Sequence, residues 1–259
     1  MANSLPLCSP KTRYPRKHTF KYLCASLLIA MAPDFSLAHQ DGKLSPSEIL
    51  DETARNGERV VAALKQYSYY SELTVQSVKL DGVLAGEYDR FEKIYPDKNG
   101  GTGVHVIEQK STMPEEIFIS SGAIENMSSL YRFILTPDLV RQYDFNYIGR
   151  ERIDEIDSLV FDVRPKGKVR WREGVSERYL KGRIWIDEVD LQVVKASGEI
   201  MPQPASERTP RFETYFQNYD SFWFPAYTLA DDDLRTSDTV SRVTIKLRFT
   251  GYKKEVRLN

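Results

Sequence analysis

Cysteine and histidine are scarce in this sequence, and the motifs that depend on them are missing. Cys8 and Cys24 are the only cysteines, and three histidines occur in 259 residues. A disulfide framework and a zinc site of the paired-cysteine or HExxH kind are therefore excluded for the residues after Cys24. No GxSxG nucleophile elbow occurs either. We predict no metal, no cofactor and no catalytic residue, and hence a protein that is not an enzyme.

Long apolar runs are missing as well. Leu23–Ala32 is mostly apolar, but its ten residues fall short of the about 20 that a helix needs to cross a bilayer. Basic residues precede this run, and Ser36-Leu37-Ala38 follows it with small residues at the positions that a signal peptidase reads. The pattern predicts a signal peptide over residues 1–38, cleaved before His39, and a soluble periplasmic protein. An uncleaved anchor and a misplaced start codon are the alternatives. Cys24 precedes the apolar run instead of ending it, so no lipobox is present.

An excess of positive charge is also missing. The predicted signal peptide holds five basic residues and one acidic residue, so its removal changes the net charge from −1 to −5. Binding to nucleic acid requires a concentrated positive face. The charge therefore argues against nucleic acid as a partner.

The main body of the sequence begins with a helix signal. Ser45-Pro46-Ser47-Glu48 predicts a helix start, with Ser45 as the N-cap and Glu48 closing a capping box. A break near Asn56-Gly57 is the alternative to one continuous helix, because glycine in mid-helix costs about 1 kcal/mol relative to alanine. The predicted apolar stripe of this helix consists of Ile49, Leu50, Thr53, Ala54, Gly57, Val60, Val61 and Leu64.

Alternation of apolar and polar residues, the period of a half-buried strand, dominates the rest of the chain. Tyr179–Gly198 is the clearest case: Ile184 and Ile186 alternate with residues of the other face, a polar turn follows at 187–190, and a second strand returns. Further alternating stretches lie near residues 73–80, 87–95, 104–109, 143–147, 159–163 and 243–249. These patterns predict one domain over residues 39–259, α+β but mainly β, with an N-terminal helix, a second helix inserted among the strands and about ten antiparallel strands.

The inserted helix is predicted between residues 121 and 137. Met127, Leu130, Tyr131 and Ile134 have the spacing of one helix face, and Pro137 is expected to stop the helix.

Residues 212–227 are unusually aromatic, with eight aromatic side chains. Aromatic side chains each bury about 150–250 Å². The segment is therefore either sheet core with a satellite cluster or the wall of an apolar pocket.

The segment Gly182-Arg183-Ile184-Trp185-Ile186-Asp187, followed by Val193-Val194-Lys195-Ala196, resembles the central hairpin of outer-membrane lipoprotein-sorting proteins. This is the LolA/LolB-like superfamily, which includes RseB-type sensor domains, and the resemblance covers roughly residues 45–255. It implies a single curved antiparallel sheet of about ten strands, an incomplete β-barrel, which wraps around the N-terminal and inserted helices and holds acyl chains in an apolar concavity.

From this resemblance we predict a non-enzymatic periplasmic carrier for the acyl chains of lipoproteins or lipids. The alternative is an RseB-like envelope sensor or protein-interaction domain, which binds an envelope protein and transfers no lipid. If the strand faces line a roomy cavity, Ile186→Asp weakens ligand binding and leaves the fold intact. The predicted cavity lining consists of Leu73, Val75, Phe91, Val104, Val106, Phe161, Val163, Ile184, Ile186, Val193, Phe216, Phe224, Val243, Ile245 and Leu247.

Overall fold

A computed structural model describes residues 44–114, 132–167, 178–202, 210–235 and 240–255. The predicted signal peptide and most of the predicted inserted helix, including Met127, Leu130 and Tyr131, lie outside these ranges. Within them the helices are α1 (Pro46–Leu64) and α2 (Pro137–Gln142). The strands are β1 (Tyr67–Lys79), β2 (Leu84–Pro96), β3 (Thr102–Ser111), β4 (Tyr143–Ile153), β5 (Ile156–Pro165), β6 (Tyr179–Asp187), β7 (Val193–Met201), β8 (Phe212–Tyr219), β9 (Phe222–Arg235) and β10 (Val240–Lys254).

The N-terminal helix begins as its capping box predicts. The Glu48 backbone N–H donates to the Ser45 hydroxyl at 3.4 Å, and the Ser45 backbone N–H donates to the Glu48 carboxylate at 2.7 Å. Pro46 occupies the first turn, where no helical hydrogen bond needs its missing N–H. The helix continues through Asn56-Gly57 to Leu64, so the alternative of a break there is wrong.

Ten antiparallel strands form one open sheet, in the order β3-β2-β1-β10-β9-β8-β7-β6-β5-β4. From β4 to β10, strands that follow each other in the chain lie side by side, and β1 pairs with β10. Among the described strands, β3 and β4 lie at the two ends of this order and do not pair with each other, so the sheet is open. The predicted fold class is confirmed.

One face of the sheet, here called the inner face, packs against α1 and residues 133–135. Its apolar residues join those of α1 in one buried cluster, including Ile49, Leu50, Leu135 and Phe161. Polar and charged side chains dominate the opposite, outer face, as in a two-sided antiparallel sheet. No helix within the described ranges combines the length and apolarity that crossing a bilayer requires.

Two neighbouring residues of α1 fix its position. A Cβ at Gly57 would overlap the carbonyl oxygen of Leu135, so only glycine lets the helix approach this backbone so closely. The Asn56 side-chain amide donates to the carbonyl oxygens of Asp190 and Leu191 at 2.9 and 3.0 Å. The helix is therefore tied to the β6–β7 turn.

Pro137 does not stop a helix, as the sequence predicted, but starts one. It lies in the first turn of α2 after Thr136, whose extended backbone makes it the N-cap. Ile134, assigned to the inserted helix from its spacing, lies in irregular chain before α2. The same fixed φ that ends a helix at its interior suits the first helical turn, and the sequence alone did not distinguish the two.

Candidate functional site

The inner face brings most of the predicted lining residues together. One buried cluster contains Leu73, Val75, Phe161, Val163, Ile184, Ile186, Val193, Phe216, Val243, Ile245 and Leu247. Phe224 belongs to a second cluster, under α1, with Val60, Ala63 and Tyr67. The aromatic segment at 212–227 therefore forms sheet core plus a satellite cluster, the first of the two alternatives.

Phe91 was placed on the wrong face by the prediction. It pairs with Glu72 and stacks on Tyr70, with ring centres 5.5 Å apart, on the outer face. The inner face of β2 is formed instead by Tyr88, Arg90, Glu92 and Ile94, since Tyr88 pairs with the inner-face residue Val75. Alternation showed that Phe91 and Tyr95 share a face, but it did not show which face.

Val104 and Val106 lie on the inner face but at its free edge. Val104 pairs with Ile94, and Val106 pairs with Glu92. These valines are 52% and 40% exposed, whereas Ile184 and Ile186 are fully buried. The two valines therefore lie on the predicted face, but they are exposed where the other lining residues are buried.

A cleft of about 360 Å³ opens between α1, residues 132–134 and α2. Ligand pockets for small molecules typically occupy about 300–1,000 Å³. The walls of the cleft are mainly apolar, and two arginines supply its charged groups. The lining residues are Val61, Leu64, Arg132, Phe133, Ile134, Leu139, Tyr143 and Arg178. The sequence analysis missed this cleft, because none of these residues was assigned to a cavity wall.

The inner face of β5–β8, here called the packed end, is formed by buried apolar residues. Phe161, Val163, Ile184, Ile186 and Phe212 are each at most 1% exposed. Small residues lie between them: Gly182 pairs with Gly198 across β6 and β7.

The inner face where β1, β2 and β3 meet is chemically different. This polar end consists of Ser77, Tyr88, Arg90, Glu92 and Gln109. The Arg90 guanidinium donates to the Glu92 carboxylate at 2.7 Å and to the Gln109 side-chain oxygen at 3.1 Å. Burial lowers the pKa of Arg90, but Glu92 and the nearby Tyr88 hydroxyl raise it by more, so the net direction is upward. Arg90 therefore stays charged on a largely apolar face.

Two hydroxyls of the polar end are buried without a hydrogen bond. Ser77 and Tyr88 are 0% and 4% exposed, and neither hydroxyl has a partner of adequate geometry among the described residues. Most buried polar groups in proteins are hydrogen-bonded, and an unsatisfied one costs about 1–3 kcal/mol. Serine and tyrosine are ordinary strand residues, so the sequence analysis did not single out these two hydroxyls.

Two tyrosine hydroxyls elsewhere on the sheet do form hydrogen bonds. The Tyr67 hydroxyl donates to Asp220 at 2.7 Å, and burial together with this bond raises the pKa of Tyr67 to about 12. The Tyr143 hydroxyl accepts the Leu180 backbone N–H at 2.9 Å, and burial raises the pKa of Tyr143 to about 12. These groups stabilise the sheet, and their protons are held more tightly than in water.

The outer face carries a small core of its own around Trp185. The Lys195 ammonium lies 4.8 Å from the ring centres of both Trp185 and Tyr215, and 3.2 Å from the Glu213 carboxylate. The indole N–H of Trp185 donates to Glu151 at 2.7 Å. Arg183 lies 3.8 Å from Glu151, so the charges are balanced within the group, and we assign it a role in stability.

Within the described ranges no three His, Cys, Asp or Glu side chains converge as metal ligands would. No protein-family model matches the chain, and no curated protein matches its sequence.

Solved structures do resemble this fold. A DUF1329 family protein from Desulfovibrio piger is 16% identical over 83% of this chain and 96% of its own, with a TM-score of 0.41. A LolA superfamily protein from Nitrosomonas europaea is 13% identical over 79% and 94%, with a TM-score of 0.33. A domain from Vibrio parahaemolyticus assigned to outer membrane lipoprotein sorting is 13% identical over 81% and 95%, with a TM-score of 0.35. They include the superfamily that the central hairpin resembles.

Proposed function

We propose that the chain is a non-enzymatic binding or carrier protein of the periplasm, which holds acyl chains of lipoproteins or lipids against the inner face. The observation that carries this proposal is the apolar cleft of about 360 Å³ between α1, residues 132–134 and α2. A cleft of this size and lining suits an unbranched apolar chain, since burial of each CH₂ contributes about 0.8 kcal/mol.

The test measures binding of a fluorescent fatty acid to residues 39–259, after native mass spectrometry for co-purified lipid. Val61 lies on the cleft wall, so Val61→Trp fills part of the cleft. We expect this variant to weaken probe binding by about tenfold, with little change in the melting temperature. Glu58→Trp, on the exposed side of the same helix, is the matched control and is expected to bind as the wild type does. Absence of probe binding and of any bound lipid in the wild type would refute the carrier function.

An envelope-protein partner is the second candidate, and the free edge β3 favours it. Ile107 is 47% exposed, and nearly every residue of β3 is exposed. An exposed edge strand offers unpaired backbone groups to an extended segment of another protein. A stoichiometric protein complex with no lipid in native mass spectrometry, lost in Ile107→Pro, would favour this function over the first.

A further inference from the structure

Strand β3 carries exposed apolar residues at one edge of the sheet. Every residue of β3 except Gly103 is exposed. Val104, Val106 and Ile107 are 52%, 40% and 47% exposed, although β-branched side chains suit a half-buried pleated surface. On the side away from β2, the backbone of β3 has no neighbouring strand in the described sheet. This edge therefore offers both hydrogen-bonding groups and apolar side chains to a further strand.

The other edge strand, β4, is protected against such an addition. Three charged residues follow one another at Arg150, Glu151 and Arg152, and a bulge lies between Tyr147 and Gly149. The two arginine side chains are 55% and 64% exposed. Charged side chains and bulges are features by which edge strands prevent pairing with a further strand. The two edges therefore differ in what they can accept.

The part of β3 that can accept a strand is its first half, residues 102–107. This stretch contains no Asp, Glu, Lys, Arg or Pro. The bulge opposite Phe91 and Glu92 ends it, and the charged residues Glu108 and Lys110 follow. At about 3.3 Å per residue, the uncharged stretch is about 20 Å long, the usual length of a paired strand.

A second copy of the same strand fits this stretch. Residues opposite each other in an antiparallel pair point to the same face of the sheet. A two-fold axis at His105 therefore places Val104 of each copy opposite Val106 of the other, and four valines meet on the inner face.

The charges of β3 are compatible with this pairing. With the axis at His105, Glu108 of each copy lies opposite Thr102 of the other, and Lys110 lies opposite Gly100. No carboxylate then faces a carboxylate across the new pair, and no ammonium faces an ammonium. Like charges directly opposite each other would have opposed the pairing.

We propose that the chain forms a two-fold dimer in which the β3 edges of two copies pair in antiparallel orientation around His105. Two ten-stranded sheets then become one continuous sheet, and the valines that are exposed in the single copy are covered. An extended segment of another protein would use the same edge and would compete with the second copy. This inference goes beyond the proposed carrier function and does not depend on acyl binding.

The first test is disulfide trapping, which is possible because no cysteine follows Cys24. A single His105→Cys in residues 39–259 places two thiols across the axis. Opposite Cα atoms in an antiparallel pair lie about 4.5–5.5 Å apart, within the range that a disulfide spans. We expect mild oxidation at about pH 8, where histidine side chains are ordinarily uncharged, to trap the dimer.

Two cysteine variants serve as matched controls. Lys110→Cys lies five residues from the axis, so its two thiols would be about 33 Å apart in the dimer. Ile148→Cys lies on the β4 edge, where Ile148 is 40% exposed. We expect His105→Cys to give at least about fivefold more covalent dimer than either control, since only its thiols meet the distance that a disulfide requires.

The second test is sedimentation equilibrium of residues 39–259. We expect a dimer with a Kd of about 10–100 µM, as suits an interface at the small end of the usual range. Val104→Asp is expected to raise this Kd at least about tenfold, because the carboxylate would lose water opposite Val106 of the other copy. Its thermal melt at about 2 µM, where the chain is monomeric, is expected to match the wild type. Ile148→Asp, on the β4 edge, is expected to dimerise as the wild type does.

A wild type that stays monomeric up to about 300 µM would overturn the dimer and leave the β3 edge to an envelope-protein partner. Equal trapping of His105→Cys and Lys110→Cys would also overturn it. So would a dimer that persists unchanged in Val104→Asp, because another surface would then hold the copies together. A monomeric protein that binds the fluorescent fatty acid would leave the proposed carrier function intact.

Discussion

The packed end and the polar end share one sheet face and one alternating pattern, yet they differ in what their side chains require. At the packed end, Ile184 and Ile186 are fully buried and find their partners within the chain. At the polar end, buried hydroxyls lack partners among the described residues and Val106 is 40% exposed. The first region is tightly packed, whereas the second keeps apolar side chains exposed at the edge of the sheet. Packed core and exposed apolar edge therefore lie on different strands of one sheet face.

Replacing one apolar residue by aspartate at each end gives the largest expected difference in stability between the two ends. Ile186→Asp places a carboxylate where no water reaches, and burying an unpaired charge costs several kcal/mol. We expect this variant to lose its cooperative thermal melt. The full burial of Ile186 thus replaces the sequence-based expectation that this substitution leaves the fold intact.

Val104→Asp is the matched variant at the exposed edge. Because the Val104 side chain already contacts solvent and pairs with the uncharged Ile94, we expect a change of at most about 1 kcal/mol in the free energy of unfolding. Urea titration measures both variants. Similar losses of stability in the two would show that the ends do not differ as described.

Gly57→Ala tests how closely α1 packs against the backbone at Leu135. In an ordinary helix this change stabilises by about 1 kcal/mol. Here the new methyl group would overlap the Leu135 carbonyl, so we expect a loss of about 1–3 kcal/mol, the usual range for overpacking. Glu58→Ala, on the exposed side of α1, controls for helix propensity. A Gly57→Ala protein more stable than the wild type would contradict the close approach.

The smallest expected effect is a pH dependence under the C-terminal part of α1. Tyr67 keeps its proton to a pKa of about 12 when folded, against about 10 when unfolded. The protonated Tyr67 hydroxyl therefore contributes to the free energy of unfolding in full below pH 10, and this contribution is lost as the pH rises through 12. It amounts to at most about 1.4 kcal/mol for each unit by which the folded and unfolded pKa values differ.

At pH 7, Tyr67→Phe loses the bond to Asp220 and is expected to be about 1 kcal/mol less stable than the wild type. The difference in stability between the wild type and Tyr67→Phe should become smaller between pH 10 and pH 12. In that range the wild type loses stability as Tyr67 ionises, whereas phenylalanine has no proton to lose. Urea titrations at pH 7, 10 and 11.5 check this. A gap that stays constant with pH would show that Tyr67 is not protected from ionisation.

Local signals in the sequence predicted much of the fold. The capping box at Ser45 and the hairpin at Tyr179–Gly198 depend on neighbouring residues alone, and both occur as expected. Pro137 failed as a stop signal because proline also suits a first helical turn. Proline at this position was compatible with a helix end and with a helix start, and the folded chain has the helix start.

The candidate site was less predictable, because it depends on register. A bulge between Phe91 and Glu92 shifts the pairing of β2 with β3, and a slip of one residue exchanges the two faces of a strand. The Arg90–Glu92 pair on the inner face and the anchor at Asn56 are charged or polar residues in buried positions. Sequence patterns assign such residues to the surface, and only their partners show otherwise.

The pairing of β1 with β10 has a consequence for how the chain folds. Strands β4 to β10 form a meander of neighbours, so their contacts close short loops and can form early. The sheet portion made by β1, β2 and β3 attaches to the rest through Val240–Lys254, whose partner strand was synthesised about 170 residues before. Until that segment has left the ribosome, the backbone groups on one edge of β1 have no strand to pair with. The whole sheet must therefore be completed after synthesis, with a high contact order, and the nascent chain remains extended longer than its helix and hairpins would suggest.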